Sequence, residues 1–289
     1  MNYQDKLSEL TQLKKIMDSF RPLDPTQVQM LEQKAKLEHV WSSNAIEGNT
    51  LTKSETESIL STGLTIHKKP LKDAMEVLDL ANAYDYVFEL INTQTPVSER
   101  MVRDINRLTM MKTTNGGTVA GEYRVVDAWP NGQEDHPYVA PFDIRAEMQE
   151  FVAWANTAVN NLHPVQYVAD LHQKLVAIHP FIDGNGRTSR LMMNFALTEF
   201  GYPIINIQPD TKARLEYMQA LATSGETDDL RPFEELVASY VKGALEERIA
   251  ILKLHEKIWL RQRNRLIYLI TLRVSSAKKT LVFTHSSYH

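Results

Sequence analysis

Along most of the chain, apolar side chains return every three or four positions, the spacing of one face of an α-helix. Residues 164–178 show it most plainly, with Val168, Leu171, Leu175 and Ile178 in one stripe. The same spacing predicts helices over 3–19 and 26–47, the second carrying Val28, Leu31, Ala35, Val40 and Trp41, with Pro22 and Pro25 between them. Gly48-Asn49 ends that second helix. Thr52-Lys53-Ser54-Glu55 reads as a capping box opening a short helix. Pro70 precedes a helix running to about Ile91, and Pro96-Val97-Ser98 opens another. Between 118 and 140 the period changes: TVAGEYRVVDAW and HPYVAP are β-prone, and Asn131-Gly132 lies between them as a turn signal. A hairpin is expected there. Helices resume over 142–160, 164–178 and from about Arg187 to Gly201, the last a C′ residue. The expected fold class is all-α with one β-hairpin.

Length fits this picture. At 289 residues the chain suits one main domain with attached segments. We divide it into an N-terminal helical region, 1–95, containing the helix 26–48, a core over 96–240, and a basic helical segment over 241–289. Thirty-two Lys and Arg stand against 36 Asp and Glu, a net charge of −4, so the overall balance gives no reason to expect a nucleic-acid partner. The start of the chain is not a signal peptide, and no apolar run reaches the eighteen or so residues of a membrane helix; a cytoplasmic protein with no membrane partner is expected. Having no cysteine, the chain has no disulfide, no thiolate nucleophile and no cysteine zinc site. HExxH, Walker A and Gly-x-Ser-x-Gly elements are absent as well, and His163 and His172 are expected to be structural.

Candidate chemistry concentrates in HPFIDGNGRTSR, residues 179–190. Gly184-Asn185-Gly186 sits where a helix begins, so backbone N–H groups and the helix dipole both favour an anion there. Arg187 and Arg190, three apart, share a face of the first turn. Cations in that position oppose the dipole by about 0.3 to 1 kcal/mol each, and a phosphate chain would supply a reason for two of them. Taken alone, GNGR also suits an ordinary glycine turn whose arginines pair with nearby carboxylates. Asp183 and His179 change the balance. The first is a hard-cation ligand type placed just before the turn. The second is an imidazole at a helix end, able to take a proton from an attacking hydroxyl. Together these are the parts for nucleotidyl or phosphoryl transfer.

The stretch resembles the Fic signature, HPFx(D/E)GNGRxxR, at every specified position. The resemblance implies the Fic helical fold with its β-hairpin flap, and transfer of AMP from ATP to a Ser, Thr or Tyr hydroxyl of a target protein, self-modification included. It implies that His179 is the base and that Asp183 holds the Mg²⁺ (or Mn²⁺) bridging the α- and β-phosphates. Gly184, Asn185 and Gly186 would cradle the anion, Arg187 would contact the β-phosphate, Arg190 the γ-phosphate, and Phe181 would anchor the loop in the core. GEYR at 121–124 and the residues after it are similar to the flap, which holds an extended target segment by main-chain pairing. Two readings stay open for Tyr217: a border of the adenine pocket, or a structural tyrosine.

Ser43-Asn44-Ala45-Ile46-Glu47-Gly48 fits the inhibitory pattern (S/T)xxxE(G/N) of the same family. This implies the class with an N-terminal inhibitory helix, members of which often dimerise. Independently, Glu47 falls in the last turn of a helix, facing the negative end of its dipole. Either it is an exposed side chain without a partner, or it has a cationic one; the resemblance points to Arg190, the arginine that the γ-phosphate needs.

The segment beyond 245 gathers Lys253, Lys257, Arg261, Arg263, Arg265, Arg273, Lys278 and Lys279 on a helix-patterned run. It reads as a basic face packed on the core or on a neighbouring subunit; some Fic proteins append a DNA-binding domain here. Two function classes follow. The first is an autoinhibited protein adenylyltransferase, whose site would equally serve AMP removal, with Glu47 positioning water, or transfer of another phosphate-containing group. The second is a non-enzymatic, DNA-associated regulator.

Overall fold

The computed structural model describes residues 2–91, 93, 95–113, 118–130, 137–227 and 229–285, with side chains described as far as Asn264. Among the described residues ten helices follow one another: α1 (Tyr3–Asp18), α2 (Pro25–Ile46), α3 (Lys53–Thr62), α4 (Leu71–Glu89), α5 (Glu99–Met110), α6 (Ile144–Ala158), α7 (Pro164–Ile178), α8 (Asn185–Glu199), α9 (Thr211–Thr227) and α10 (Arg231–His285).

Local chemistry sets their ends. Asp24 caps α2 through a box with Gln27, and Pro25 takes the first helical position, so the proline expected between helices opens one instead. The Thr52–Glu55 box opens α3 as its sequence predicts. Gly48, at φ 96°, closes α2. The Gly48 amide donates to the Ala45 carbonyl and the Asn49 amide to that of Asn44, both at 3.1 Å, a Schellman pair that leaves Glu47 as the C-cap. Gly201 ends α8 in the same way.

At the centre lies α8, against which α7, α5, α4 and α2 pack. Its residues from Arg187 to Leu197 are buried on every face, which explains why NGRTSRLMMNFALTE lacks an amphipathic stripe. Leu171 and Leu175 of α7 meet Leu191, Met192 and Leu197 in this core, all with no exposed surface. Residues 118–130 and 137–140, where a hairpin is expected, contain no strand among the described residues. Their two arms meet through one backbone bond, from the Tyr138 amide to the Ala128 carbonyl at 3.0 Å; Asn131-Gly132, the expected turn, lies outside the described residues. α10 runs without a break across residue 241 and packs against α1, α7 and α9. Among the described residues no helix is long and apolar enough to cross a membrane.

Buried imidazoles make stability depend on pH. Burial, the largest cause in each case, lowers His39 to about 3, His172 well below its usual range, and His179 to about 4. The unfolded chain binds a proton on each near pH 6.5 and the folded chain does not, so stability is full above that pH and falls below it. At pH 5 the loss is about 2 kcal/mol for each fully buried ring and about half that for the partly exposed His179. Asp170 works the other way: burial, then Glu234, raises it to about 7, so its protonation in the folded state gives back about 2 kcal/mol. We expect a net loss of about 3 kcal/mol between pH 7 and pH 5, read as an earlier urea midpoint. A midpoint that stays put would contradict the neutral imidazoles.

Candidate active site

His179 stops α7 by adopting a left-handed conformation, φ 52°, which non-glycine residues rarely enter. Pro180 then prevents the helix from continuing. Asn185 closes the following loop on itself: its side-chain oxygen accepts from the Phe181 amide at 3.0 Å, and its NH₂ donates to the Phe181 carbonyl at 2.8 Å. This clamp starts α8 at Asn185, two residues before the expected Arg187, and Phe181 is sunk in the core at 1% exposure. Gly184, the N-cap, has φ 79°, and a Cβ there would meet Met110 Sδ at 2.8 Å.

Two side chains outside the signature hold this loop. Asn106 of α5 donates to the Asp183 carbonyl at 3.0 Å and to Thr188 Oγ1 at 3.3 Å, while its oxygen accepts from the Gly121 amide at 2.9 Å. Arg124, 4% exposed, donates to the His179 carbonyl and the Val126 carbonyl at 2.8 Å each, and also to the Val139 carbonyl. Next to it, Tyr123 forms an antiparallel bridge with Phe181. One guanidinium therefore ties both arms of the 118–140 segment to the loop. Tyr138 completes the join by stacking on the His179 ring, centroids 3.9 Å apart and planes 9° apart.

Arg190 is the charge around which the rest is arranged. It is buried, and its Nε donates to Ser43 Oγ at 2.8 Å, its Nη2 to the Ser43 carbonyl at 3.0 Å and to Glu47 Oε1 at 2.6 Å, and its Nη1 to Tyr217 at 3.3 Å. Burial opposes the guanidinium charge, but Tyr217 and Glu47 outweigh it and raise the pKa. For Glu47, burial would raise the carboxyl, and Arg190 with Arg187 overrides it, for a net lowering. Its side chain keeps 34% of its surface exposed, so the pair sits at a mouth rather than in a dry interior. A Cβ on Gly186 would lie 2.5 Å from Glu47 Oε1. The carboxylate thus stands over the α8 N-terminus, where backbone amides and the helix dipole favour an anion.

The other sequence-predicted residues fall close by. Arg187, 2% exposed, donates to Asp183 Oδ1 at 3.3 Å and to Asn44 Oδ1 at 3.5 Å, and lies 3.6 Å from Glu76 Oε1. Asp183 accepts from the Gly184 amide at 2.5 Å and keeps 55% of its side chain exposed. Tyr217, 1% exposed, shares a hydrogen bond with His172 Nε2 at 3.0 Å, so His172 reaches Arg190 through it. His163 caps α7. Of the residues the sequence did not single out, Asn44, Glu76, Asn106 and Tyr138 carry no local signal; Arg124 does, as the last residue of GEYR.

Residues 96–197 match the Fic/DOC family. That stretch, which contains the signature, is a Fic domain. Two curated relatives, each a protein adenylyltransferase Fic, come from Drosophila erecta, 34% identical over 216 residues, and Drosophila grimshawi, 33% identical over the same length. Each alignment covers 74% of this chain and 42% or 43% of the relative, so the chain spans less than half the length of those proteins. Among solved structures, Fic-1 residues 134–508 from C. elegans superposes with a TM-score of 0.78 at 25% identity, covering 87% of this chain and 73% of the other. A Fic-domain-containing signalling protein from Bacteroides thetaiotaomicron gives 0.74 at 28%, covering 86% and 97%. The helical Fic fold is thereby established.

A magnesium ion can be tested against the Fic site's donors. Asp183 offers one hard, solvent-facing oxygen, and among the described residues no three His, Asp or Glu side chains gather into a metal cage. That set fits a Mg²⁺ that completes its shell with phosphate oxygens and water.

Removing Asn106 should loosen both the loop and the flap base. Asn106→Ala is expected to cost about 1 to 3 kcal/mol in urea unfolding and to raise amide exchange at 121–124 and 183–184 together. Unchanged exchange at both places would rule out the clamp.

Proposed function

We propose that this Fic protein transfers AMP from ATP to a hydroxyl side chain of a target protein and is held off by Glu47. One observation carries the reading: a carboxylate of the chain itself rests on the α8 N-terminus over Gly186 and pairs with Arg190 at 2.6 Å. An anion site that recruits an internal anion is built for one. The names of the Drosophila relatives support adenylyl transfer as the reaction.

In this reading His179, neutral at pH 7 because burial holds it near 4, accepts the proton of the target hydroxyl. The hydroxyl oxygen bonds to the α-phosphorus, the bond to the bridging oxygen breaks, and pyrophosphate leaves. The proton stays on the imidazole until solvent removes it. Gly184, Asn185 and Gly186 turn amides toward the phosphates, with Arg187 on the β- and Arg190 on the γ-phosphate. When bound with the nucleotide at Asp183, Mg²⁺ (or Mn²⁺) neutralises charge on the α- and β-phosphates. The target lies as an extended segment along the flap, paired by main chain.

Glu47 blocks the γ-phosphate position by occupying Arg190. A charge-assisted pair is worth about 1.5 to 3 kcal/mol, which leaves about 0.6 to 8 percent of molecules open. Its exposure at the mouth favours the upper end of that fraction. Glu47→Gly should therefore raise AMP incorporation from ATP by about 10- to 30-fold, measured as an adduct by intact mass; equal rates for the two proteins would reject the inhibitory role. His179→Asn keeps a residue type that tolerates the left-handed backbone. In the Glu47→Gly background it should abolish transfer while leaving ATP affinity within about threefold, and full transfer would remove His179 as the base.

A further inference from the structure

Away from that site, a groove of about 640 Å³ opens between α2, the segment 203–208 and α10. Its size falls in the range of small-molecule sites, roughly 300 to 1,000 Å³. Leu31, Ala35, Ile204, Leu236, Ala244 and Ile251 give it apolar walls. Of the six charged side chains that line it, five are paired. Lys34 bonds Glu247 at 2.9 Å, Lys53 bonds Glu38, and Glu216 lies 3.8 Å from Lys212.

The sixth, Arg248, is half-buried and forms no hydrogen bond or ion pair with any described residue. Burial lowers its pKa, more than the charges of Glu247 and Glu32 raise it. A guanidinium on an apolar wall with none of its donors bonded to a described residue offers a planar fork that matches carboxylate and phosphate.

We propose that this groove binds a small organic anion, a carboxylate or phosphate monoester on an apolar body, with its head on Arg248 and its body along Leu31, Ile204 and Leu236. The position matters for the rest of the molecule. α2, one wall, carries Ser43 and Glu47. On the floor, Ile205 exchanges two hydrogen bonds with Asn194 of α8, at 2.8 and 2.9 Å, and Asn206 contacts His39 at 3.2 Å. A ligand here lies directly against α2 and is joined to α8 through Ile205, so it borders, on one side directly and on the other through one residue, the two helices that supply the Glu47–Arg190 pair.

Four eight-carbon probes on the full chain test this by calorimetry, below their micelle concentrations: octanoate, octyl phosphate, octanol and octylammonium. At least one of the two anions should bind saturably, at least tenfold more tightly than octanol or octylammonium, and the ratio of the anions assigns the head group. Arg248→Gln should weaken the anion at least tenfold. Gly243→Leu gives a second arm: a Cβ at Gly243 meets nothing within 4 Å, so the helix accepts the side chain, which fills the groove and should abolish binding. No saturable binding of either anion, equal binding of all four probes, or binding that survives both substitutions would overturn the proposal. None of these readouts depends on adenylyl transfer, so the outcome is separate from that of Glu47→Gly.

Discussion

A buried guanidinium at Arg190 constrains everything around it. Removing such a charge from water costs several kcal/mol unless its donors are met, and here two other helices meet them: α2 with Ser43 and its C-cap Glu47, and α9 with Tyr217. The packing of α2 against α8 is therefore more than apolar contact. Each partner is spaced so that four of the five N–H donors of the arginine are bonded, and one edge faces the mouth where Glu47 sits.

From this arrangement the remaining geometry follows. With Arg190 fixed in the first turns of α8, Gly186 must stay bare to admit an anion, and Gly184 must stay bare to let α5 approach. Asn106 and Arg124 then carry the order outward to the 118–140 segment, one from the loop side and one from the flap side. His179, the 184–186 turn and the 118–140 backbone form one hydrogen-bonded unit, which under the proposed function suits chemistry that depends on positioning more than on covalent participation.

Much of the fold was legible because helix periodicity and caps are local signals. The Thr52 box, the glycine ends at Gly48 and Gly201, and the stripe on α7 needed only neighbours in sequence. The cradle was legible for the same reason, since 179–190 is one continuous stretch. Partners brought from elsewhere were not: Asn106, Asn44 and Glu76 sit on helices where a polar residue facing inward looks like any other polar residue. Pro25 misled because proline breaks a helix interior but opens a helix start, and Asp24 decides which. The 118–140 stretch reads as strand by propensity, yet its described arms share one backbone bond, Tyr138 to Ala128, and are otherwise tied by the Arg124 side chain and to the Pro180 carbonyl rather than by a ladder.

The left-handed residue at the end of α7 has an evolutionary consequence. A β-branched side chain at 179 would strain the backbone by about 1 to 2 kcal/mol as well as removing the imidazole. Drift at this position is thus channelled toward asparagine, aspartate or glycine. A silent copy of such a domain, retained for binding after its reaction was given up, should carry one of those three where His179 stands.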